Sequence, residues 1–69
     1  MYTMTASNEN GSCYLDVFID YTRGEVLFIT TIAIPSTDTK PGLYKEYTYK
    51  THRAARNKYE ALTKKYNIA

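Results

Sequence analysis

An α+β fold is predicted: an antiparallel sheet of three or four strands with one C-terminal helix packed on one face, in the order ββββα or βββα. Three observations predict it. Residues Cys13-Tyr14-Leu15-Asp16-Val17-Phe18-Ile19-Asp20 place Cys13, Leu15, Val17 and Ile19 at alternate positions, with Tyr14, Asp16 and Asp20 between them and Phe18 the one apolar exception, the period of a half-buried strand. Residues Val26 to Ile34 are apolar on both faces. From Ala55 onward, apolar residues recur at helical spacing.

The elements follow in order. Met1 to Ser7 alternates Tyr2, Met4 and Ala6 with Thr3, Thr5 and Ser7, as a short first strand does. Asn8-Glu9-Asn10-Gly11-Ser12 is a turn cluster. A hairpin comes next, with arms near 13–20 and 25–34 joined around Tyr21-Thr22-Arg23-Gly24. Pro35 to Gly42 holds both prolines and ends in a Pro-Gly turn pair, so it is a loop. Leu43 to Lys50 is rich in Tyr and Thr and reads as the last strand. The helix starts after Thr51, whose hydroxyl suits an N-cap. A capping box is missing, because Ala54 stands where Glu would be needed. Ala55, Tyr59, Leu62, Tyr66 and Ala69 form the apolar stripe, and Arg53, Asn57, Glu60 and Lys64 lie roughly opposite. Arg56–Glu60 and Glu60–Lys64 are spaced as i, i+4 pairs.

Sixty-nine residues make a single domain, 1–69. A chain this short buries only about 60% of its unfolded surface and usually needs a disulfide, a metal or a partner. Cys13 is the single cysteine and His52 the single histidine, so neither an internal disulfide nor a closed zinc site is expected. A partner or a second copy remains. No stretch approaches the length of a membrane span, and the first residues lack the features of a signal peptide. A lone cysteine without an export signal points to the cytoplasm. The formal net charge is +2, unevenly spread. Residues 1–42 carry two basic and five acidic side chains; residues 43–69 carry seven and two. An acidic hairpin and a basic helix are expected.

The hairpin faces carry the functional argument. Cys13, Leu15, Val17 and Ile19 share one face and should meet the helix; Tyr14, Asp16, Phe18 and Asp20 share the other. Two registers are open. Pairing Asp20 with Glu25 adds Leu27, Ile29 and Thr31 to the outer face; a bulge at Gly24 adds Phe28, Thr30 and Ile32 instead. Either leaves large apolar side chains outside beside Phe18, and a cluster of that kind marks an interaction site. The predicted protein-binding residues are Tyr14, Asp16, Phe18 and Asp20. Asp16 and Asp20 repel phosphates, so a protein partner or a second copy of the chain suits this face better than nucleic acid. A competing strip on the helix, Lys50, Arg53, Arg56, Lys64 and Lys65 with His52 at its start, offers contacts to phosphates.

Catalysis is not expected. His52 sits at the mouth of the helix without a telling acid partner, and Cys13 falls on the inner face, where a thiol is inert. Asp16 and Asp20 are some 13 Å apart along one strand face, too far to share a proton. The three glycines are scattered and make no phosphate loop. No metal or cofactor is implied.

Tyr49-Lys50-Thr51, with Ala55 and Tyr59, resembles the strand-to-helix junction of plant ethylene-response-factor DNA-binding domains and of phage integrase arm-binding domains. Those families read DNA with the sheet face through Arg and aromatic residues; here Asp16 and Asp20 stand where such cations would lie. The whole layout, and the run from Tyr49 to Leu62, is also similar to small phage anti-CRISPR proteins. That resemblance implies a stoichiometric inhibitor that binds a host protein through the sheet face, its acidic hairpin standing in for phosphate charge. The leading expectation is a non-catalytic protein-binding module of this kind. The alternatives are a small DNA- or RNA-binding protein using the helix, or a structural homodimer.

Overall fold

The computed structural model describes residues 1–68; Ala69, predicted to close the helical stripe, lies outside them. Four strands, β1 (Tyr2–Asn8), β2 (Gly11–Asp20), β3 (Glu25–Ile34) and β4 (Leu43–Tyr49), precede one helix, α1 (His52–Lys65). The strands form one antiparallel sheet in sequence order, β1-β2-β3-β4. The fold is thus ββββα, with the helix on one face.

Asp20 pairs with Glu25, and this settles the hairpin register. The turn chemistry explains the choice. Asp20 Oδ1 accepts from the amides of Thr22 (3.0 Å) and Arg23 (3.3 Å), while Gly24 takes φ 66°. The carboxylate satisfies two turn amides and glycine supplies the left-handed residue at no steric cost. Together they close a loop of Tyr21 to Gly24 without a bulge. Leu27, Ile29 and Thr31 consequently share the outer face with Tyr14, Asp16 and Phe18. Cys13, Leu15, Thr30 and Ile32 face the helix and are fully buried.

The helix begins where expected. Thr51 Oγ1 accepts from the Ala54 amide at 3.2 Å. Ala55, Tyr59 and Leu62 are buried and Tyr66 is half-buried. Thr30 is a polar side chain in this core, and its hydroxyl donates to the Ala55 carbonyl at 2.8 Å. Burial therefore leaves it no unmade bond. Glu60 pairs back to Arg56 at 3.2 Å rather than forward to Lys64. The helix stops in a Schellman arrangement. The Ile68 amide donates to the Thr63 carbonyl (2.9 Å) and the Asn67 amide to Lys64 (3.4 Å), with Asn67 at φ 56°. This reversal buries Ile68 in the core.

The first turn grips that end. It is tighter than predicted: only Glu9 and Asn10 lie between β1 and β2. The side-chain amides of Asn8 and Asn10 each donate to the Asn67 carbonyl at 2.9 Å. Gly11 follows at φ 154°, packed against β3.

Cys13 is buried between sheet and helix. Burial pushes its thiol above its ordinary 9.0, against a smaller opposing bond from the Tyr14 backbone. Burial, and secondarily the Cys13 thiolate, also raises Tyr59. An unfolded chain therefore releases these protons at lower pH than the folded one. Above about pH 9 the unfolded state binds fewer protons, so stability falls as pH rises. The urea midpoint is expected to drop between pH 8 and pH 10, and to drop less in Cys13→Ala. An equal or steeper fall in that variant would refute the assignment to Cys13.

Candidate functional site

The helix is too short for the sheet. Fourteen residues at 1.5 Å span about 21 Å, whereas a ten-residue strand spans about 33 Å. Its first turn lies against Phe28, where the His52 ring stands edge-on with centroids 5.6 Å apart. From there it runs back toward the first turn of the sheet, as the Asn8 and Asn10 bonds to Asn67 require. The edge strands stop at the same level. β4 ends with Tyr49 opposite Phe28, and the N-terminal strand's last backbone bond runs from the Val17 amide to the Met1 carbonyl.

Beyond Val17 and Phe28, β2 and β3 continue alone as a two-stranded ribbon, and the molecule is 44 Å long but only 19 and 15 Å across. The ribbon is apolar on both sides. Phe18 faces Leu27 on the outer side and Ile19 faces Val26 on the helix side. Phe18 is 50% exposed, and Ile19 and Val26 are each 48% exposed. Tyr21, in the turn, is almost fully exposed. The expectation that Ile19 meets the helix is corrected here: the helix does not reach it.

The other predicted residues of the outer face have definite roles. Tyr14 is half-buried, its ring 5.4 Å from that of Tyr2, so the first strand screens it partly. Asp16 Oδ1 lies 2.6 Å from the Met1 amino nitrogen. Asp20 holds the turn. With Glu25 and Arg23 it gives the end of the ribbon three charges, two of them negative.

The helix strip is divided by the fold. Lys50, Arg53, Arg56, Lys64 and Lys65 are all exposed, as is His52. Arg56 is engaged by Glu60, and Lys65 turns toward Tyr66, its Nζ 5.4 Å from the ring centroid. Two cations outside the predicted strip meet on one ring. Lys58 Nζ sits 4.3 Å from the Tyr47 centroid and Lys45 Nζ 5.7 Å from the same centroid.

Sequence reasoning missed Val26, Ile19, Lys45 and Lys58 as surface features. The first two were legible from the mismatch of helix and strand lengths. The lysines meet only across two elements, which no local pattern reveals. Among the described residues no group of three or more His, Cys, Asp or Glu side chains is placed to hold a metal, and no helix is long and apolar enough to cross a membrane. Comparison with family models, curated proteins and solved structures gives no match.

Proposed function

We propose that this chain is a non-catalytic protein-binding module, of the inhibitor type that a phage anti-CRISPR exemplifies. It docks by inserting the β2–β3 ribbon, with Tyr14 and Asp16 on the adjoining outer face, into its partner. The observation that carries this reading is the two-sided apolar ribbon formed by Phe18, Leu27, Ile19 and Val26. Monomers do not gain stability from side chains left half in water, whereas interfaces place such residues at their centres. The charge at its end defines the partner. Asp20 and Glu25 against Arg23 complement an apolar cleft rimmed by Lys or Arg, the kind of cleft that otherwise receives a phosphate backbone, while Asp16 is already paired with the Met1 amine. The lone buried thiol of Cys13 suits a reducing cytoplasm, where we place the protein.

The test compares wild type with Phe18→Ser and with Arg53→Ala/Arg56→Ala. Proteins captured from expressing cells by wild type but not by Phe18→Ser are purified and titrated calorimetrically. Phe18→Ser is expected to weaken the cognate partner by about 30-fold, the loss of one interface anchor. The arginine variant should match wild type. Equal affinity of Phe18→Ser would overturn the reading. So would a concentration-dependent dimer in sedimentation that Phe18→Ser dissolves, since the ribbon would then belong to a second copy.

A further inference from the structure

The opposite flank of the molecule carries a separate feature. β4 is an edge strand, and Leu43, Lys45, Tyr47 and Tyr49 alternate onto its helix-side face. Helix α1 leaves part of that face open. Lys58 and Lys65, seven residues apart, lie on one side of α1, about 10 Å apart along its axis. Lys58 and Lys45 bracket Tyr47, and Lys65 lies against Tyr66. A ring face attracts an ammonium group without neutralising it. These contacts therefore hold three cations in place and leave their charge available. Among the described residues none of the three makes an ion pair. Glu46 sits on the other face of the sheet, and Glu60 is spent on Arg56.

The flank runs into a groove between the helix end and the 35–42 loop, of about 650 Å³. Lys65 and Tyr66 belong to both. Ile34, Pro35, Pro41 and Leu43 give its wall an apolar part and Lys40 a further cation, with Glu9 the one carboxylate. A volume in this range takes a ligand of small-molecule size. Apolar walls, a tyrosine and side-chain cations are the components of sites for unpaired bases.

We propose that this flank binds single-stranded nucleic acid, with one unpaired nucleotide in the groove beside Tyr66 and the phosphates that follow along Lys65, Lys58 and Lys45. The site uses Lys65 of the helix strip but not Arg53, Arg56 or Lys64. It is independent of the protein-binding ribbon, which lies at the far end of the sheet.

Fluorescence anisotropy of a labelled oligothymidylate tests it. Three phosphate contacts give a slope of log affinity against log salt of about −2, and removing two of them brings it to about −0.7. Lys58→Gln/Lys65→Gln is expected to show that change, with at least a tenfold loss of affinity at low salt and an unchanged circular dichroism spectrum. Arg53→Ala/Arg56→Ala and Phe18→Ser should bind within twofold of wild type. Absence of binding at about 20 mM salt would overturn the proposal. So would equal binding of a duplex or of polyglutamate, or an equal loss in the arginine variant.

Discussion

Gly11→Ala is expected to remove a large share of the protein's folding free energy. A Cβ at this position would lie 2.6 Å from the Ala33 carbonyl oxygen and 2.6 Å from Ile34 Cδ1. The isoleucine methyl can swing aside. The carbonyl cannot, because Ala33 is held in β3 between β2 and β4. The backbone at φ 154° adds a second penalty for any residue with a side chain. Strained backbone costs about 1–3 kcal/mol and overpacking a similar amount, so about 2–6 kcal/mol together. A domain of this size has about 3–10 kcal/mol in total. Urea denaturation reads the outcome directly, and a loss below about 1 kcal/mol would show that β3 yields easily.

Leu15→Ala is expected to cost about 2–5 kcal/mol, whereas Leu27→Ala should cost well under half as much. The contrast isolates the two faces of the sheet. Leu15 is 0% exposed, on the helix-facing side, in one cluster with Cys13, Ile32, Ala55, Tyr59 and Leu62. Thr30 opposite it is tied to the Ala55 carbonyl, and so cannot shift inward to fill the void. Leu27 has the same chemistry but stands half-buried on the ribbon, paired with Phe18. Removing it opens no cavity. Equal costs at the two positions would mean that the ribbon packs as a core, which would remove the physical basis of a docking role. Thermal unfolding suffices, since 1 kcal/mol moves the midpoint of a domain this small by about 4–8 °C.

Most of the architecture was legible because strands and helices of this chain obey their periods. The alternation from Cys13 to Asp20 and the 3–4 spacing from Ala55 to Tyr66 assign each face correctly. Register was not legible, because two turns fit Tyr21 to Gly24. The carboxylate of Asp20 decides between them by capping two amides, a tertiary-independent signal that Asp at the end of a strand provides. Ile68 was missed because it lies off the helical stripe. Its burial depends on Asn67 adopting a left-handed conformation, and Asn followed by an apolar residue is the mark of that stop. Of the candidate site, Phe18 and the carboxylates were read from strand alternation alone. Ile19 and Val26 required comparing lengths, not patterns. The bracketing of Tyr47 by Lys45 and Lys58 joins residues from different elements, and only the folded arrangement reveals it.

The amides of Asn8 and Asn10 reach a carbonyl 59 and 57 positions away. A chain emerging from a ribosome makes its first turn early but cannot fasten it until Asn67 is free. Closure of that long loop waits for Asn67, and its entropy is repaid only then. Nascent chains stalled before Asn67 therefore lack the clasp, and the incipient hairpins meanwhile expose Cys13 and Leu15 to whatever chaperone attends them.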